Sequence, residues 1–113
     1  MKTIAIILLL AGFHNQSFSQ SQMELNRNAA IEFEKSDAKL NSIYKKVMAS
    51  LETQVQKNDL LAAQRAWIKY KESHCNAFAN QYEGGSINSM IYSICLKEVT
   101  DERIVQLNRY NEH

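Results

Sequence analysis

The chain has 113 residues, with 13 basic and 12 acidic side chains and a formal net charge of +1. A chain of this length forms one small domain, and its near-neutral charge argues against nucleic-acid binding, which usually needs a basic excess on one face. It contains no proline and only three glycines, so few residues are present that interrupt helices. These bounds favour a small helical domain that needs no cofactor.

The N-terminal segment has the organisation of a secretory signal peptide. Lys2 precedes an apolar run at residues 3–13, which is too short for a membrane span of about 20 helical residues. Ser17 and Ser19 place small residues three and one before a cleavage site. We therefore expect a signal peptide at residues 1–19. The alternative, a buried N-terminal helix, is less favoured because the run has no polar face.

The remaining residues, 20–113, are expected to form one exported helical domain that is periplasmic or secreted. Without Lys2 the domain has 12 basic and 12 acidic residues, and it offers no polybasic arm or second apolar stretch as a membrane anchor. Cys75 and Cys95 are the two cysteines of the chain. Because exported proteins meet an oxidising compartment, we expect them to form a disulfide rather than remain free thiols.

Apolar residues recur at intervals of three, four and seven, which is typical of amphipathic helices. A long first helix is predicted over about residues 22–56, and Asn58 or Asp59 is expected to cap the second helix by accepting amide hydrogens of its first turn. A third helix is predicted over about residues 89–108. The apolar stripe predicted for the second helix consists of Leu60, Ala63, Trp67, Tyr70, His74 and Phe78.

Gly84 and Gly85 mark the one strong turn of the domain, since glycine adopts the positive φ that often ends a helix. Ser86 or Asn88 is then expected to cap the third helix. Three amphipathic helices that each bury one stripe form a bundle. We predict an all-α fold, a small antiparallel three-helix bundle with one long N-terminal helix and one disulfide across the glycine turn.

Three motifs in chain order set this sequence apart from a plain bundle. They are D..LN..Y at residues 37–44, AQRAWI.Y at residues 63–70 followed by Cys75, and GGS at residues 84–86 followed by Cys95, Thr100, Arg103 and Leu107. Together they resemble the LprI-type lysozyme-inhibitor domain, over about residues 24–107. The resemblance implies an exported helical domain that inhibits lysozyme. Many relatives have a cysteine where this chain has Asn28, so their second disulfide is absent here.

Several side chains within the motifs could form either a ligand site or a structural network. We favour a polar network that joins the three helices, with an ion pair between Asp37 and either Arg65 or Arg103. Trp67 and Tyr70 are interpreted as core aromatics because they fall within a helical stripe, although ligand stacking is the alternative. The predicted network consists of Asp37, Asn41, Tyr44, Arg65 and Arg103.

The glycine turn is the predicted partner-binding loop, since a loop held by a disulfide can enter a cleft at low ordering cost. The alternative is that it is a turn and nothing more. The partner would be a lysozyme or another cell-wall hydrolase; a competing hypothesis is an accessory cell-envelope interaction domain without inhibitory activity. The predicted loop consists of Tyr82, Glu83, Gly84, Gly85, Ser86, Asn88 and Tyr92.

Catalytic and metal-binding motifs are not evident in the sequence. His74 stands beside Cys75, but that cysteine is assigned to the disulfide and no second histidine lies four residues away. Glycine-rich phosphate loops and nucleophile elbows are also missing. The sequence therefore predicts neither an enzyme nor a metal site.

Overall fold

The computed structural model describes residues 21–82 and 85–112 with their side chains, and within these ranges it has no strand. Its helices are α1 (Lys2–Ser50), α2 (Gln54–Ala79) and α3 (Ile87–Asn108), followed by the 3₁₀ turn Arg109–Asn111. The predicted all-α, three-helix architecture is confirmed. The expected signal peptide at residues 1–19 lies outside the residues whose side chains are described.

The helix α3 packs against both α1 and α2. Asn26 near the start of the described part of α1 contacts Ser86 before α3, and Leu40 and Val47 pack with Ile104 and Leu107 further along both helices. Thus α1 and α3 run in the same direction, and α2 runs antiparallel to α3.

The first helix ends earlier than predicted, at Ser50, and α2 begins at Gln54. Thr53 is the cap: its Oγ1 accepts from the backbone N–H of Gln56 at 3.1 Å, while Oε1 of Gln56 accepts from the N–H of Thr53 at 3.1 Å. This reciprocal capping box satisfies amide hydrogens at the start of α2. The predicted extension to residue 56 and the predicted caps Asn58 and Asp59 are wrong, because apolar periodicity continues across the break and conceals it.

The core has two clusters, one towards each end of α3, and Trp67 packs against both. The first consists of the buried Leu40, Val47, Leu60, Ile104 and Leu107. The second consists of Cys75, Cys95, Leu96 and Val99.

The buried face of α2 is rotated from the predicted stripe. Its buried residues are Leu60, Gln64, Lys71, Cys75 and Ala79. Tyr70 is 57% exposed and Phe78 is 44% exposed, so the interpretation of Tyr70 as a core aromatic is corrected. Trp67 is half-buried. The rotation follows from the disulfide, which requires Cys75 to face α3.

Candidate partner-binding site

The disulfide joins α2 to α3 near the turn between them. The Sγ atoms of Cys75 and Cys95 are bonded, with their Cα atoms 5.5 Å apart, and the two residues are 0% and 5% exposed. Leu96 and Val99 complete the buried cluster around the bond, and Phe33 of α1 packs against it. The predicted disulfide is confirmed, and the bond lies within the core.

Hydrogen bonds hold the turn between α2 and α3 to the bundle. The side-chain amide of Asn88 donates to the carbonyl oxygen of Ala79 at 2.6 Å, and the N–H of Tyr82 donates to the same oxygen at 2.9 Å. From α1, the amide of Asn26 donates to the carbonyl oxygen of Ser86 at 3.0 Å. The turn is therefore tied to all three helices.

These bonds differ from the expected capping of α3. Ser86 is the N-cap residue, but its side chain makes no capping hydrogen bond. The side chain of Asn88 serves the end of α2 instead. In addition, α2 ends at Ala79, several residues before the glycines, because carbonyl groups of its last turn are satisfied by Asn88 and by the N–H groups of Gln81 and Tyr82.

Exposed aromatic side chains follow one face of α2 towards this turn. Tyr70 and His74 stack with ring centroids 5.4 Å apart, and Phe78 and Tyr82 follow with centroids 6.2 Å apart. We call Tyr70, His74, Phe78 and Tyr82 the aromatic row. Residues four apart lie on the same face of a helix, so this spacing is visible in the sequence. Tyr70, His74 and Phe78 were predicted in the buried stripe and Tyr82 in the loop.

The turn itself exposes several further side chains. Ile87 is 40% exposed, as is Tyr82, and Ser86 is exposed. Clustered apolar side chains at a surface often mark an interaction site. We call Phe78, Tyr82, Ser86 and Ile87 the turn surface.

The predicted loop residues do not all face outward. Tyr82, Gly85 and Ser86 are exposed, whereas Asn88 is half-buried and Tyr92 packs against the disulfide cluster. Glu83 and Gly84 lie outside the described residues. Asn88 and Tyr92 therefore support the turn from within the bundle, while Phe78 and Ile87 are exposed beside it.

A family model matches most of the chain. The family described as Lysozyme inhibitor LprI matches residues 14–107. The chain belongs to this family. It is a family named for an inhibitor and not for an enzyme, and a disulfide in such a domain is typical of an extracytoplasmic protein.

A curated relative also matches most of the chain. This LprI domain is similar to an uncharacterised protein of Rhizobium meliloti (strain 1021), with 35% identity over 104 aligned residues that cover 81% of this chain and 75% of the relative. No solved structure matches the chain.

The predicted polar network of this LprI domain is replaced by a smaller one. Arg103 donates from Nε to Oε1 of Gln64 and from Nη1 to Oε1 of Gln106, both at 3.0 Å. The expected ion pair of Asp37 with Arg65 or Arg103 is not formed; the ion pairs among the described residues are Lys35–Glu32 and Lys97–Asp101.

The predicted ion pair of Asp37 is not formed because the side chains of the predicted network point in different directions. Arg65 and Asn41 are exposed, while Tyr44 is half-buried and packs against the first core cluster. Gln64, one residue from Arg65, faces the core in its place. Asp37 and Arg65 therefore take no part in the buried contacts of Arg103.

Lys71 is a buried cation that sequence reasoning did not identify. The residue is 7% exposed, and its Nζ lies 4.8 Å from the ring centre of Trp67 and 5.4 Å from that of Phe33. Its ammonium is therefore held by aromatic faces of α1 and α2. A lysine in a helical pattern is normally predicted to be exposed, so the sequence does not indicate that Lys71 is buried.

A groove between α1 and α3 contains the ion pairs Lys35–Glu32 and Lys97–Asp101. It has a volume of about 450 Å³, and within it Nζ of Lys97 lies 2.6 Å from Oδ2 of Asp101. Elsewhere along the part of the chain that the structure describes, no group of acidic, histidine or cysteine side chains has metal-binding geometry. None of the helices in that part is long and apolar enough to cross a bilayer.

Proposed function

We propose that this LprI domain is an exported protein-binding module that inhibits a lysozyme, and that it contacts the enzyme through the turn surface. One observation carries the proposal: three apolar side chains, Phe78, Tyr82 and Ile87, are 40–44% exposed at a turn tied to all three helices. The choice of lysozyme comes from the family.

The physical chemistry of the turn surface fits a contact with an enzyme cleft. Aromatic anchors supply most of the binding energy in many protein interfaces, and Phe78 and Tyr82 are such anchors. Because the disulfide and Asn88 already hold the turn, little conformational entropy is lost on binding. Glycosidases flank their scissile bond with two carboxyl groups, and the hydroxyl of Ser86 is an exposed donor for one of them.

Export is the second part of this proposal. The N-terminal apolar run would act as a signal peptide that is removed before Gln20, leaving a domain in the periplasm or the medium. Mass spectrometry of the protein recovered from those fractions should give a mature N-terminus at Gln20. A recovered chain that still begins at Met1 would contradict cleavage.

The direct test is a lysis assay. Protein purified from the exported fraction is added to several lysozyme types, and the clearing of a bacterial cell suspension is followed by turbidity. We expect slower clearing by at least one lysozyme at micromolar excess of the domain. Unchanged clearing with every type would contradict inhibition, and a pull-down that recovers an envelope assembly protein instead would favour the accessory-domain hypothesis.

Substitutions locate the contact surface. Tyr82→Ala and Phe78→Ala should each weaken inhibition by about tenfold or more, since removing an interface anchor costs more than about 1.4 kcal/mol. Tyr70→Ala is the matched control, because Tyr70 is an exposed aromatic on the same helix face two turns away from the turn surface. Equal losses in all three variants would place the contact along the whole aromatic row.

A further inference from the structure

Arg103 is a buried cation without a carboxylate partner. It is 9% exposed, and its two hydrogen-bond partners, Gln64 and Gln106, are neutral amides. Its Nη2 has no hydrogen-bond partner. Since burying a charge without a counter-charge is costly, the arrangement calls for a compensating negative group.

A pocket lies beside this arginine. Its volume is about 340 Å³, and it is lined by Arg103, Gln106, Arg109 and Tyr110. The Oε1 of Gln106 already accepts from Arg103, which leaves its amide N–H groups free to donate. Arg109 contributes a second guanidinium and Tyr110 a phenolic hydroxyl, so every side chain that lines the pocket offers a hydrogen-bond donor.

We propose that this arginine pocket binds an oxyanion, either a carboxylate or a phosphate group. Guanidinium groups bind both anions through charge-assisted and often bidentate hydrogen bonds. The groove between α1 and α3 is a useful contrast, because there Lys97 and Asp101 neutralise each other. The arginine pocket has two cations and no lining carboxylate.

Two nearby features act against an anion at this position. The C-terminal end of α3 has a negative dipole equivalent to about half a charge, but the two guanidinium groups bring two full positive charges. Glu52 and Asp59 line neighbouring pockets that share Tyr110. Neither forms an ion pair with Arg103 or Arg109 in the described residues, so the positive charge of the pocket is not cancelled by a direct contact.

The arginine pocket is separate from the turn surface. Arg103 lies sixteen positions after Ile87 in α3, which corresponds to about 24 Å of helix. Loss of lysozyme inhibition would therefore leave this proposal intact, and failure of anion binding would leave the proposed inhibition intact.

Nuclear magnetic resonance titrations of the whole domain test the proposal. The side-chain Nε–H signals of Arg103 and Arg109 are followed while sodium phosphate or sodium acetate is added, with sodium chloride as the control for ionic strength. We expect both arginine signals to shift and saturate. A response to acetate alone assigns a carboxylate ligand, a response to phosphate alone assigns a phosphoryl ligand, and a response to both assigns a site that recognises the charge.

Matched variants separate a site from general charge attraction. Arg109→Gln removes one guanidinium and should weaken the anion affinity by about tenfold or more. Arg27→Gln removes an exposed arginine of α1 and should leave the affinity unchanged. The proposal is overturned if neither anion moves the Arg103 signal beyond the effect of chloride, or if both variants bind as the unmodified domain does.

Discussion

Lys71 shows how one side chain can be buried without an ion pair. Its methylene stem packs within the bundle, while its ammonium faces the rings of Phe33 and Trp67. A cation over an aromatic face gains up to about 2 kcal/mol when it is desolvated, and desolvation of the ammonium offsets part of that gain. The net contribution of the charge is therefore small, and the packing of the stem matters more.

The small net contribution of the Lys71 charge predicts different losses of stability for two substitutions. Lys71→Met keeps a flexible chain of similar length, so the free energy of unfolding should change by less than about 1 kcal/mol. Lys71→Glu places a negative charge against the negative ring faces and should lower the free energy of unfolding by about 2 kcal/mol or more. Urea unfolding followed by circular dichroism measures both. A loss of about 2 kcal/mol or more for Lys71→Met would contradict a minor role for the positive charge.

Asp101 makes the stability of this domain depend on pH in the acid range. Partial burial raises the pKa of Asp101, but hydrogen bonds from Lys97 and Ser36 and the positive charges of Lys97 and Lys39 outweigh it, so its pKa lies below 3.8. In return, the hydrogen bond and the charge of Asp101 raise the pKa of Lys97 above 10.5. The pair is partly exposed, so its effect on stability is small.

The sign of the pH dependence follows from these directions. A carboxylate with a lowered pKa stabilises the fold above its unfolded pKa, and the contribution is lost as the pH falls through the folded pKa. For Lys97 the contribution is present below 10.5 and lost as the pH rises through its raised pKa. We expect Lys97→Met to be less stable than the unmodified domain at pH 7 and equal to it below the folded pKa of Asp101. Urea midpoints measured from pH 7 to pH 2 test this; a difference that persists in acid would contradict it.

At the level of elements, the start of α2 depends on Thr53. An N-cap threonine replaced by alanine typically costs about 1 kcal/mol, and the reciprocal bonds with Gln56 place Thr53→Ala in that range. Asp59→Ala is the control, because Asp59 is the cap that sequence reasoning selected but lies inside α2. It should change the free energy of unfolding by less than about 0.5 kcal/mol. Thermal and urea unfolding compare the two; a larger loss for Asp59→Ala would contradict the structure.

The helices themselves could be predicted from the sequence, but their faces and ends only in part. The apolar spacing and the lack of proline correctly predicted three helices and the end of α3 at Asn108. It misplaced the end of α1, since Leu51 and Val55 continue the apolar pattern across the break although Val55 is 69% exposed. It also assigned Tyr70 to the core, because aromatic residues at a spacing of four read as a buried stripe whether or not a partner covers them.

The candidate site could be predicted less completely than the fold. The turn between α2 and α3 was identified from its glycines and from the flanking cysteines. The anchoring role of Asn88 was not identified, because its side chain donates to the backbone carbonyl of Ala79, nine residues away, and a sequence pattern does not show such a partner. The contacts of Arg103 with Gln64 and Gln106 were missed for a similar reason: an arginine is expected to pair with a carboxylate, and a glutamine carries no charge.

At the level of the whole molecule, the disulfide and the Arg103 contacts link α2 to α3 at two distant points. The bond closes a separation of 20 residues, which is worth about 3 kcal/mol in the chain-entropy account. We expect Cys75→Ala/Cys95→Ala to lower the free energy of unfolding by about that amount while the helices persist. Urea unfolding with and without reductant measures it.

The reductant supplies the control for this prediction. It should destabilise the unmodified domain to about the level of the variant and leave the variant unchanged. A variant as stable as the oxidised domain would contradict the contribution assigned to the bond. A variant that responds to the reductant would show that the reductant acts elsewhere.

The two cysteines also determine how the domain matures. A chain with two cysteines allows one intramolecular pairing, so no wrong bond has to be reshuffled. Oxidation then needs an electron acceptor and no isomerase, and refolding from the reduced, unfolded chain should proceed at the same rate with or without a disulfide isomerase. Under the export proposed above, the chain could be oxidised as soon as residue 95 has emerged on the far side of the membrane, before its last helical turns have arrived.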